Sequence, residues 1–99
     1  MIDIFYKIHK TTGGEVLAAC DKELLGKTLR DGSTEFFVSE KFYKEKETSE
    51  KELREKLKSF DNINLIGNKV VRIAIQEKLV EEKSVLYIKG IAHAQIFRV

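Results

Sequence analysis

Apolar and polar residues alternate from Ile2 to His9. Ile2, Ile4, Tyr6 and Ile8 share one face and Asp3, Lys7 and His9 the other, with Phe5 alone breaking the rule. Period two with β-branched and aromatic residues predicts a strand with one buried face. Thr11-Thr12-Gly13-Gly14 interrupts it with the residue types a tight reversal needs. Val16-Leu17-Ala18-Ala19-Cys20 then runs apolar without alternation, as a strand covered on both faces does. This run is expected at the centre of a sheet, paired with the first strand as a hairpin.

Asp21 is placed to cap a short helix holding Leu24 and Leu25, with Gly26 as its stop. Arg30 to Ser33 reads as a turn, and Thr34 to Ser39, carrying Phe36, Phe37 and Val38, as a third strand. The charged stretch from Glu40 to Glu47 is expected to be pinned to the core by Phe42 and Tyr43. Ser49-x-x-Glu52 fits a capping box, and Leu53, Leu57 and Phe60 follow at helical spacing. Ile63, Leu65 and Ile66 mark a short strand or an irregular turn. Asn68 can cap a second helix whose stripe is Val70, Val71, Ala74, Ile75 and Leu79. Val85 to Ile88, a Lys89-Gly90 turn and Ile91 to Val99 complete a closing hairpin. Strands and helices are segregated, which predicts an α+β fold in a single domain over residues 1–99. The expected architecture is a two-layer sandwich: an antiparallel or mixed sheet of four to six strands, with two main helices and one short helix.

Composition adds limits. The 99 residues carry a net charge of +2, too small to be a nucleic-acid argument alone. From Lys69 onward, however, six basic residues face three acidic ones. Lys69, Arg72, Lys89 and Arg98 are the candidate basic contacts of that segment. Charged residues, mostly Lys and Glu, reach 34%, the pattern of heat-adapted proteomes, although the absence of proline points the other way. The single cysteine excludes an intramolecular disulfide, and neither a signal peptide nor an apolar run of membrane-spanning length is present. A cytoplasmic, non-membrane protein is expected.

Candidate chemistry is sparse. On the last strand, Ile91, His93, Gln95, Phe97 and Val99 share a face. His93 and Gln95 there form either a satisfied polar pair fixing register or the donors and acceptors of a shallow pocket. Cys20 beside Asp21 is either a buried structural thiol or, at a helix start, an activated one. It can meet His93 only if their strands are neighbours. One Cys and two widely separated His lack metal-site spacing, so no metal and no cofactor are expected. Gly26-Lys27-Thr28 is not a phosphate loop, because the glycine required five positions earlier is Asp21. Strand-borne Tyr6, Phe36, Phe37, Tyr43, Tyr87 and Phe97 with interspersed lysines suit either a core or an RNA-stacking surface.

Four phrases together carry a resemblance: Gly13-Gly14-Glu15-Val16-Leu17-Ala18-Ala19-Cys20-Asp21, Leu24-Leu25-Gly26-Lys27, Asn64-Leu65-Ile66-Gly67 and Ala92-His93-Ala94-Gln95. In order and spacing the chain resembles a largely archaeal family of uncharacterised proteins, the domain-of-unknown-function family 424. The resemblance implies an archaeal source, a compact two-layer α/β fold and a loose association with translation-related genes. It brings no catalytic set. Gly13, Gly14, Cys20, Asp21, His93 and Gln95 match its phrases best and are the candidate pocket residues; no catalytic residue is assigned. Three readings stand. The first is a non-catalytic protein that binds RNA or a ribosome-associated partner. The second is a small enzyme or small-molecule binder using Cys20, His93 and Gln95. The third is a homodimeric interaction domain joined through a strand edge.

Overall fold

The computed structural model describes residues 3–98. Ile2 and Val99, expected in the first and last strands, lie outside the described residues. β1 (Ile4–Thr11) and β2 (Gly14–Asp21) form the expected hairpin, in register from Ile4 opposite Asp21 to Thr11 opposite Gly14. Gly14 closes the turn at φ 120°, a conformation that glycine adopts without strain. After a 3-10 turn at Lys22–Leu24 come β3 (Thr28–Asp31), β4 (Thr34–Phe37), α1 (Glu40–Tyr43) and β5 (Lys46–Thr48). α2 (Glu50–Leu57), β6 (Asn62–Ile66) and α3 (Asn68–Gln76) follow. A second 3-10 turn at Glu82–Ser84 leads into the hairpin of β7 (Leu86–Ile88) and β8 (Ile91–Phe97). The main sheet runs β5-β1-β2-β6-β8-β7. β2 pairs parallel with β6, and every other neighbour is antiparallel. This is the mixed α+β sheet that the pattern predicts, with the apolar run of β2 in its interior.

One face of the sheet packs under both main helices. Ile4, Leu17, Ala19, Ile63 and Leu65 meet Leu53 and Leu57 of α2 and Val70, Val71, Ile73 and Ala74 of α3. Each of these larger aliphatic side chains, fully buried, contributes roughly 1.5–3 kcal/mol. α2 starts as its capping box predicts, with Ser49 Oγ accepting from Glu52 N–H at 3.2 Å.

The opposite face has its own core of Phe5, Ala18, Cys20, Leu24, Val38, Tyr43 and Ile66, covered by α1 and by the β3–β4 hairpin. The third strand expected from Thr34 therefore forms, but outside the main sheet, paired only with Thr28–Asp31. Thr28–Asp31 has Leu29 as its one apolar residue, too little period to predict a strand; Leu29 and Phe36 pack this hairpin against the second core as a flap.

Two capping assignments are corrected. Asp21 makes no side-chain cap to the turn that follows it. Its carboxylate instead crosses to the start of α3 and accepts from Lys69 N–H and Val70 N–H, both at 3.0 Å. Asn68 does not cap α3 either. Its amide donates to Gly90 O at 3.2 Å and accepts from Ala92 N–H at 2.8 Å, tying the helix to the β7–β8 turn. Gly67 occupies the cap position at φ 127°, and a Cβ there would run into the Asp21 carboxyl group.

Candidate binding face

Pairing registers set out three rows on the face opposite α2 and α3. Phe5, Cys20, Ile66 and His93 form the first, Lys7, Ala18, Asn64 and Gln95 the second, and His9, Val16, Asn62 and Phe97 the third. The hairpin covers the His93 end of the first row, where the Phe36 ring lies 4.8 Å from the imidazole at 56°. α1 covers the β1 end of the other two. Phe42 stacks on His9 at 4.6 Å, and His9 Nε2 lies 2.8 Å from Phe42 O. A carbonyl only accepts, so this nitrogen carries the proton. Lys7 Nζ donates to Lys41 O at 3.0 Å.

Between these covers lies an open strip of Asn62, Asn64, Gln95 and Phe97. The buried Tyr43 hydroxyl donates to Asn64 Oδ1 at 2.6 Å, which leaves Asn64 Nδ2 as the donor available to the strip. Burial holds the Tyr43 phenol well above its usual range. Gln95 is exposed, and the Phe97 ring, 71% exposed, is the most open large apolar side chain described. Phe97 also borders a groove of about 400 Å³ lined by Thr11, Gly13, Gly14, Ser59 and Asp61. Gly13 and Gly14 thus share this groove with Phe97, whereas Gln95, two residues earlier on β8, lies outside it.

The other candidates lie elsewhere. Cys20 and His93 share a row, but β6 runs between their strands and Ile66 stands between their side chains. Two strand spacings of ~4.8 Å keep them roughly 10 Å apart. The condition for a Cys20–His93 pair is not met. Cys20 is fully buried, and burial, with Asp21 adding to it, pushes its thiol up to about 12, so it has no nucleophilic character at neutral pH. Asp21 is the cap of α3; burial raises its carboxyl despite the two N–H donors and the Lys69 charge that work against the shift.

The four basic candidates do not make one patch. Lys69 pairs with Asp3, and Arg72 reaches Glu50 at 3.5 Å. Arg98 donates to Leu57 O at 3.1 Å and to Phe60 O, closing the end of α2. Lys89 gives its backbone N–H to Asp31 at 2.9 Å. The sequence reading missed Asn62 and Asn64. Their signal was there in the alternation of Asn62-Ile63-Asn64-Leu65, two amides facing away from two buried aliphatics.

His93 Nε2 is buried and has no hydrogen-bond partner among the described residues, and burial lowers the imidazole pKa. The folded state therefore binds this proton less readily than the unfolded chain does. The associated stability is complete above the unfolded histidine value of about 6.5 and is lost as pH falls through that value towards the folded one. Urea unfolding should show stability declining over this window, and His93→Phe should flatten the decline. An unchanged slope in the variant would assign it to another group.

The family model for proteins of unknown function DUF424 matches residues 9–99, which include every residue of the open strip. The chain belongs to the DUF424 family. This DUF424 chain is also similar to the crystal structure of an uncharacterised conserved protein from Methanopyrus kandleri. The two are 27% identical and superpose with a TM-score of 0.77, covering 97% of this chain and 93% of that one. No curated protein matches the DUF424 chain. Among its described residues no helix is long and apolar enough to cross a membrane.

Proposed function

We infer that this protein is a non-catalytic binding protein for single-stranded RNA, of the kind the archaeal translation machinery displays, and that the open strip is where the bases lie. The observation that carries this reading is Phe97. It is a phenylalanine on a regular strand with its ring 71% exposed, in register beside Asn62 and next to the Asn64–Gln95 amide row. A sheet-borne ring with free faces stacks unpaired bases, and neighbouring carboxamides offer donors and acceptors to base edges. Cations for the backbone come from the α1 side rather than from the basic C-terminal third. Lys7, Lys41 and Lys44 border the covered end of the face, and none of them pairs with a carboxylate among the described residues. About 14 Å, three strand spacings, separates Lys7 from Gln95 across the row.

Fluorescence anisotropy with labelled single-stranded oligoribonucleotides tests the reading at low and high salt. Binding should weaken steeply as salt rises, because phosphate contacts release counterions. Phe97→Ala should weaken it by about tenfold, the loss of one stacking platform, with an unchanged circular dichroism spectrum. No binding at low salt, or binding indifferent to both salt and Phe97, would overturn it.

A further inference from the structure

The two outer strands of the sheet are guarded very differently. β5 ends one side with exposed Lys46 and Glu47, charges that discourage an additional strand. β7 ends the other side with Leu86 and Tyr87, 66% and 54% exposed, and carries no charge. Its outward backbone is also open. Gly67 N–H bonds Ala92 O and Arg98 N–H bonds Asp61 O, so the even-numbered residues of β8 direct their hydrogen-bonding groups to β6 and the odd-numbered ones to β7. His93 and Ile91 therefore bond Leu86 and Ile88, and the N–H and C=O of Tyr87, between them, point away from the sheet. Neither has a hydrogen-bond partner among the described residues.

We propose that β7 is a self-association edge, at which a second copy of this chain pairs antiparallel about a two-fold axis through Tyr87. The register is self-complementary, as a two-fold interface requires. At the axis Tyr87 faces Tyr87 of the second copy, and the two exchange reciprocal N–H···O bonds. Their rings meet on the helix side of the sheet. There Asn68, Val71, Arg72 and Ile75 line a groove of about 350 Å³ beside Tyr87. On the hairpin side Leu86 of each copy lies against Ile88 of the other. Backbone geometry selects the direction. Only the antiparallel arrangement lets Tyr87 of each copy exchange both its N–H and its C=O with Tyr87 of the other.

The paired segment is short, because Val85 N–H is already bonded to Glu82 O at 3.1 Å and Lys89 N–H to Asp31 at 2.9 Å. Association is accordingly weak and reversible. Tyr87 lies on the helix side, away from Gln95 and Phe97, whereas Leu86, opposite His93, shares their face, so cross-linking through position 87 is the arm that reads the edge apart from the RNA strip.

Sedimentation velocity on the full chain, from micromolar to millimolar concentration, should show the mean mass rising from one chain towards two. Leu86→Lys, at an exposed position that leaves the fold intact, should move the midpoint at least about tenfold higher, a loss of roughly 1.4 kcal/mol. Tyr87→Cys should cross-link to its copy under mild oxidation, and Glu47→Cys on the charged edge should not; buried Cys20 cannot compete. A single-chain mass at every concentration, a midpoint indifferent to Leu86→Lys, or equal cross-linking at both edges would overturn the proposal.

Discussion

Gly67→Ala is expected to lower the unfolding free energy by about 3–5 kcal/mol, combining left-handed backbone strain with an overpacked contact. Gly67 sits at φ 127°, and the added methyl would collide with the carboxyl group of Asp21. That group cannot move aside cheaply, because both its oxygens are engaged by the first free N–H groups of α3, and releasing them uncaps the helix at a further cost of about 1 kcal/mol. Urea denaturation at fixed pH checks this directly. The same experiment in an Asp21→Gly background separates the two causes. The steric part should vanish there, so the double variant should be less destabilised than the sum of the singles. Additive losses would mean that strain alone carries the effect.

Tyr43→Ala should cost a similar amount, about 3–5 kcal/mol, because it removes a buried ring that clamps α1 onto the sheet. Tyr43→Phe isolates the hydroxyl. It keeps the packing but leaves Asn64 Oδ1 without its donor, and should cost about 1–2 kcal/mol. The phenylalanine variant also frees the Asn64 carboxamide to rotate, so RNA affinity should drop while the fold survives. Thermal unfolding and anisotropy on the same two variants would show whether stability and binding separate in this way. If Tyr43→Phe changes neither, the Tyr43–Asn64 hydrogen bond is not what orients the strip.

The elements that could be read from sequence were those whose apolar period is local. The β1–β2 hairpin, the Ser49-capped helix, the helix through Val70 and Val71 and the closing hairpin all follow from spacing within a dozen residues. What could not be read depends on which strands become neighbours. The parallel contact of β2 with β6 joins residues more than forty positions apart, and it is this contact that separates Cys20 from His93 by a strand. Asp21 illustrates the same limit. Its position before Lys22-Glu23-Leu24 looks like a local cap, but its partners are amides on another element. Ile73 of α3 is likewise fully buried although it lies off the stripe of Val70, Val71, Ala74, Ile75 and Leu79. At the candidate site, Gly13, Gly14 and Gln95 were legible from their phrases. Phe97 was visible only as one aromatic among several, since the exposure of its ring depends on where the hairpin flap ends.

The carboxylate that completes α3 comes from a residue 48 positions upstream of the first amide it caps. Before β2 and β6 align, that helix has no local side chain to satisfy its leading N–H groups, because its cap position is Gly67. The order of events during folding is thereby constrained. α2 carries its own cap in Ser49, whereas the cap of α3 arrives only after the central strands have closed the long loop between them. Helix and sheet then gain their stability in one step, and the transition state should contain β2, β6 and the first turn of α3 while the hairpin flap is still free.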